Sequence, residues 1–171
     1  VGSEMCIRDS YGASLILGGA EGTLWDLTGM YASLARTLAH YRIYNGRYNP
    51  ADIHPLTPFP ASPTDPVRSV TDKRLTDKPL LSAASIWFTF EAMSALNRPE
   101  EEADWQQFGS MKQVAWKTGT SYGGRDAWAI GTTPRYTVGV WVGNASGEGR
   151  PGLTGVGNAA PVLFDLFSLL P

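Results

Sequence analysis

The sequence predicts an α+β fold, with helices packed on an antiparallel sheet, and three observations carry that prediction. Apolar residues recur at three- and four-residue steps after a capping signal at Thr23. Three short segments of strand period follow one another between residues 114 and 143, separated only by turns of hairpin size. A helical stripe then closes the chain, so helices and strands are segregated, which is the α+β layer solution.

Thr23 stands three residues before Asp26, the spacing of a capping box, and Leu24, Leu27, Tyr31, Leu34 and Leu38 mark one face of the helix that follows. That helix should bury its leucine stripe and end near Asn45-Gly46. Pro50, Pro55, Pro58, Pro60, Pro63, Pro66 and Pro79 forbid a long helix or a central strand and predict an extended surface connection. Ser82 caps a second helix running to about Asn97. Ile86, Phe90, Met93 and Asn97 lie on one of its faces, Trp87 beside them, and Pro99 stops it. Glu100, Glu101 and Glu102 read as a solvated loop.

Val114 to Ser121, Asp126 to Thr132 and Tyr136 to Gly143 form a three-stranded meander. Alternation sends Tyr136, Val138, Val140 and Val142 to one face of the last strand, and Thr137, Gly139, Trp141 and Gly143 to the other. Gly131 and Gly139 leave room for a helix or backbone to come close. After a glycine-rich loop, Asn158 is expected to cap a final helix striped by Val162, Leu163, Leu166, Phe167 and Leu170. Val1 to Ser10 show neither period and read as a leader foreign to the domain, which then spans residues 11–171.

Composition excludes several function classes. The 171 residues carry 14 basic and 16 acidic side chains, a net charge of −2 with no basic block, so nothing marks a nucleic-acid partner. Cys6 is the sole cysteine, and His40 and His54 lie in separate segments, so no disulfide and no zinc cluster is expected, and no cofactor is implied. No apolar run approaches the roughly 20 residues needed to span a bilayer.

Chemistry concentrates in Trp116-Lys117-Thr118-Gly119-Thr120-Ser121, on the first strand of the meander. Alternation places Lys117 and Gly119 on one side and Thr118 and Thr120 on the other, while a free strand edge offers backbone N–H groups. Gly119, having no side chain, lets a substrate lie against that edge. Lys117 brings a positive charge and the threonine hydroxyls can donate to a carboxylate, a combination that makes an anion-binding strand. The Thr120 N–H is placed to polarise a carbonyl oxygen becoming an oxyanion.

Lys-Thr-Gly is the third motif of penicillin-interacting serine enzymes, after Ser-x-x-Lys and Ser-x-Asn. Its flanks, Ala115 to Gly123 and Arg125-Asp126-Ala127-Trp128-Ala129-Ile130-Gly131, resemble the class A penicillin-binding proteins, and among them the 1C subfamily. So do Leu15-Ile16-Leu17-Gly18-Gly19-Ala20 with Thr23-Leu24 and Asp26-Leu27 upstream, and Tyr136 with Gly139 to Gly143 downstream. The resemblance implies part of a β-lactamase/transpeptidase-like fold and a serine-type D,D-transpeptidase. Its substrate would be a peptidoglycan stem peptide ending in D-Ala-D-Ala, its inhibitors β-lactams, and its location the periplasmic face of the bacterial inner membrane. Under it, Lys117 and Thr120 are catalytic, Lys117 as electrostatic and proton-relay support and Thr120 through its oxyanion-hole N–H. Thr118, Gly119, Thr120 and Ser121 line the substrate, with Thr118 and Thr120 holding its carboxylate.

The departure is equally plain. None of Lys73, Lys78, Lys112 and Lys117 has a serine three residues before it, and no Ser-x-Asn occurs, so these residues contain no nucleophile. The chain is therefore expected to be the C-terminal half of the domain, inactive without an N-terminal half. A phosphoryl-transfer ATPase can carry Lys-Thr-Gly-Thr after an essential aspartate, but Trp116 stands in that position. A non-catalytic peptidoglycan-binding module is the alternative reading. Other prominent residues have plainer roles: Ser121 lines the cleft or closes a turn, Arg125-Asp126 orders the hairpin, Glu21 precedes a helix start, and Trp87, Trp128 and Trp141 belong to the core.

Overall fold

The computed structural model describes residues 21–58, 75–95 and 113–171. The leader at 1–10, the segment to Ala20, Pro60, Pro63, Pro66, Asn97, Pro99 and the three glutamates lie outside the described residues. Helix α1, Leu24–Ile43, starts as its capping spacing predicts: Thr23 Oγ1 accepts the Asp26 N–H at 3.1 Å and donates to the Asp26 carboxylate at 2.7 Å. It ends before Asn45 and Gly46, both of which take positive φ, 52° and 83°.

The leucine stripe is not what α1 buries. Its buried line is Gly29, Ser33 and Thr37, with the leucines half-covered. The cause is the extended segment that follows. A 3-10 turn, Pro50–Asp52, returns the chain along α1. A Cβ on Gly29 would meet Leu56 Cγ at 3.2 Å, and the Ser33 hydroxyl donates to the His54 carbonyl at 3.1 Å. Backbone lying on a helix needs small side chains for closeness and polar ones for its unpaired groups, so serine and threonine displace leucine there. Asp52, 3% exposed, joins the same seam: His40 Nδ1 lies 2.8 Å from its carboxylate and Arg36 donates to its carbonyl. His40 therefore does have an acidic partner, across the turn.

Helix α2, Ala83–Ser94, is capped by Ser82, whose hydroxyl accepts the Ser85 N–H at 3.1 Å, and it buries Ala83, Ile86 and Met93. Strands β1 (Ala115–Thr120), β2 (Asp126–Thr132) and β3 (Thr137–Gly143) form an antiparallel sheet in the order β1-β2-β3, so the expected meander stands. A π-helical turn, Gly155–Ala159, leads into α3, Ala160–Leu169.

One face of the sheet carries Trp116, Ala127, Ala129 and Val140 against Leu163, Phe164 and Phe167 of α3, with Val138 and Val142 alongside. Trp116 meets Phe164 edge to face at 5.1 Å between ring centroids. Gly131 is what brings α3 this close: a Cβ there would lie 2.7 Å from the Phe167 ring. On the opposite face α1 crosses β3, where a Cβ on Gly139 would sit 2.1 Å from Thr28 Oγ1.

Several expectations for side chains are corrected here. Asn158 does not cap the last helix. Thr154 does the capping one turn earlier, accepting the Gly157 N–H at 3.0 Å, while Asn158 Oδ1 turns back to accept the Thr154 N–H at 2.9 Å. The extra residue of the π-helical turn rotates the helix, so Phe164 enters the core while Val162 and Leu166 face outward. Trp87 and Trp141 are exposed and Trp128 is half-buried. Trp141 instead spends its indole N–H on the Asp126 carboxylate at 2.9 Å.

Candidate functional site

Among the described residues β1 is an edge strand, carrying Lys117 to Thr120 with Ser121 just past its end, and the hydrogen-bond pattern decides which of these backbone groups turn away from β2. Ser121 donates its N–H to the Asp126 carbonyl at 2.9 Å, and Thr133 donates to the Tyr136 carbonyl at 2.8 Å. Because antiparallel partners alternate between bonded and non-bonded pairs, Lys117, Gly119 and Ser121 turn their amides and carbonyls toward Ile130, Trp128 and Asp126. Trp116, Thr118 and Thr120 turn theirs outward. The N–H groups of Thr118 and Thr120 thus face away from the sheet along the edge.

Side chains supply the charge. Lys117 is exposed, and its ammonium lies along the same edge, donating to the outward Thr118 carbonyl at 2.6 Å. Alternation puts Thr118 and Thr120 on the α3 face, where the Thr120 hydroxyl accepts the Gly155 N–H at 2.9 Å. That contact leaves the hydroxyl proton available to a ligand. Gly119 is exposed and its added Cβ would touch only Trp128 Cβ, at 3.7 Å, so the strand is bare at this point. Ammonium, outward N–H groups and a hydroxyl therefore converge on one ledge, an arrangement that can hold a carboxylate and a developing oxyanion.

The Ser121 hydroxyl accepts the Asp126 N–H at 2.8 Å and closes the hairpin, where Gly123 and Gly124 take φ of 77° and 62°. Sequence reasoning missed Thr154 and Gly155, which seat the π-helical turn on β1. A Cβ on Gly155 would lie 2.6 Å from the Gly119 carbonyl oxygen and 2.9 Å from Thr118 Cβ. The signal available was the Thr-x-x-Gly spacing of 154 and 157, a short cap masked by a loop rich in glycine.

Two concavities lie elsewhere. One of about 440 Å³ runs between α1 and the β2–β3 turn, with Arg36, His40 and Arg135 on its walls; another of about 130 Å³ lies between α1 and the segment leading into α2. Neither is lined by a residue of the Lys117–Ser121 string. Among the described residues no helix is long and apolar enough to cross a membrane, and no cluster of three or more His, Cys, Asp or Glu could hold a metal ion.

No family model matches the chain. It is similar to penicillin-binding protein 1C of Escherichia coli (strain K12), with 32% identity over 157 residues. That alignment covers 92% of this chain and 17% of the relative, so the chain spans about a sixth of that protein's length.

Proposed function

We propose, on the premise that the chain is a relative of penicillin-binding protein 1C, that its β1 edge binds the acyl donor of peptidoglycan cross-linking in a serine-type D,D-transpeptidase. The donor is a stem peptide ending in D-Ala-D-Ala. The observation that carries the reading is the set of groups on one edge that no strand among the described residues pairs with: Lys117 ammonium, Thr120 hydroxyl and the outward N–H of Thr120.

In the reaction a serine oxygen bonds to the carbonyl carbon between the two D-alanines. Its proton passes to a base, and the carbonyl oxygen becomes an oxyanion beside the Thr120 N–H. That stabilisation is preorganised because the strand fixes the donor before charge develops. The C–N bond then breaks and the terminal D-alanine leaves with its proton restored. Throughout, Lys117 and the Thr118 and Thr120 hydroxyls hold its carboxylate. An amine from a second stem resolves the acyl-enzyme as a cross-link. β-Lactams enter as mimics of the donor. With no Ser-x-x-Lys among the 171 residues, the serine belongs to sequence outside them, and the parent would work where peptidoglycan lies, on the periplasmic face of the membrane.

Two measurements on the 171-residue chain test this. Labelled penicillin followed by a denaturing gel should give no covalent band; a stable band would place a nucleophile within the chain and overturn the division of labour. Titration with N-acetyl-D-alanyl-D-alanine should shift the Thr118 and Thr120 amide resonances, and Lys117→Ala should weaken binding roughly tenfold, as for a lost charge-assisted hydrogen bond. Unmoved amides on β1 would sink the reading.

A further inference from the structure

We infer that Gly155 is a positioning residue: its N–H fixes the Thr120 hydroxyl as an outward donor, so the edge selects a carboxylate over the corresponding carboxamide. The inference rests on β1 being the donor-binding edge and adds how that edge discriminates.

A threonine hydroxyl has one proton to give and can accept at its oxygen. The Gly155 N–H approaches Thr120 Oγ1 at 2.9 Å and uses that acceptor capacity from the α3 side. The neighbouring carbonyls on that side are already engaged in the ladder, Gly119 O accepting the Trp128 N–H and Trp128 O the Gly119 N–H as a bonded pair. The hydroxyl proton is left to turn to the open edge. Every hydrogen that the Lys117 ammonium and the Thr120 hydroxyl direct toward the terminal carboxylate is then a donor. A carboxylate, which only accepts, satisfies all of them; a carboxamide presents its own NH₂ donors to them and leaves some unpaired.

The turn is built to hold that contact. Thr154 Oγ1 accepts the Gly157 N–H at 3.0 Å, Asn158 Oδ1 accepts the Thr154 N–H at 2.9 Å, and the Asn158 N–H returns to the Thr154 carbonyl at 3.0 Å. Only glycine fits at 155, where a Cβ would stand 2.6 Å from the Gly119 oxygen and 2.8 Å from the Trp128 oxygen. Bringing a backbone N–H to a side chain on β1 thus requires the residue type found there.

The test compares N-acetyl-D-alanyl-D-alanine with its C-terminal carboxamide in NMR titrations of the 171-residue chain. The carboxylate should bind at least roughly tenfold more tightly, Thr120→Val should abolish that preference, and Thr120→Ser should keep it. Gly155→Ala should weaken carboxylate binding in the wild-type background and add nothing in Thr120→Val, the signature of one coupled contact. An equal loss in both backgrounds would mean a merely structural glycine and overturn the inference. If Gly155→Ala does not fold, the Gly155 amide proton serves instead: it should move upfield in Thr120→Val and stay in place in Thr120→Ser, and an unmoved resonance in both overturns the inference. Failure of the wild-type chain to bind the carboxylate is a different result, because it removes the proposed function itself.

Discussion

The two faces of the sheet are closed in different ways. Under α3, the side chains of Ala127, Ala129, Ala160 and Leu163 are fully buried and Phe164 and Phe167 nearly so, in one apolar cluster shared by helix and strands. Across the sheet, α1 meets β3 through Leu24 and Thr28, its buried glycine, serine and threonine line lies under the segment from Pro50 to Leu56 instead, and Trp25, Met30, Trp87 and Phe88 remain open. The first face behaves as a finished core. The second is covered by a helix whose flank leaves hydrophobic groups exposed, the kind of surface that domains present to another layer.

The largest expected effect breaks that comparison at its strongest point. Leu163→Ala should cost about 2–5 kcal/mol in urea unfolding, as a large-to-small change in a closed core, whereas Phe88→Ser, at a side chain 66% exposed, should change stability by no more than about 0.5 kcal/mol. Equal costs would mean that the faces are equivalent. A smaller effect sharpens the contrast at the α1 contact. Gly139→Ala should cost about 1–3 kcal/mol through overpacking, and adding Thr28→Ala should return much of it, because Thr28 Oγ1 is what the new methyl strikes. Among the described residues that buried hydroxyl has no hydrogen-bond partner, so deleting it alone should cost little.

The smallest effect is in the alkaline limb. Burial raises the Tyr31 phenol above its ordinary 10.0, since desolvation disfavours the phenolate. A raised folded-state value means a contribution complete below about pH 10 and lost as pH climbs through the folded pKa. Tyr31→Phe should therefore flatten the fall in stability above that pH, and an unchanged slope would place the ring in water.

The same contrast explains how much was legible in the residues. Strands and turns were readable because period two, the glycine pair of the first turn and the fixed hairpin lengths leave few alternatives. The start of α1 was readable because Thr23 and Asp26 act locally. What escaped were choices made by distant chain. The line of Gly29, Ser33 and Thr37 is selected by the segment from Pro50 to Leu56, and helical spacing alone favours the leucines. The outward face of α3 follows from one π-helical turn that no apolar stripe reveals. At the candidate site, Lys117, Gly119 and Thr120 could be named from the string, but the partner of the Thr120 hydroxyl lies 35 residues away in a loop without chemistry of its own.

Trp116 does more than fill space beneath α3. Sliding β1 by one position would take this indole off the α3 face and at once turn the amides of Thr118 and Thr120 inward, spending them on β2. The penalty for pulling one large aromatic ring out of its contact with Phe164 therefore guards the orientation of two peptide groups further along the strand. A register error that disarms the edge is one that the fold already rejects.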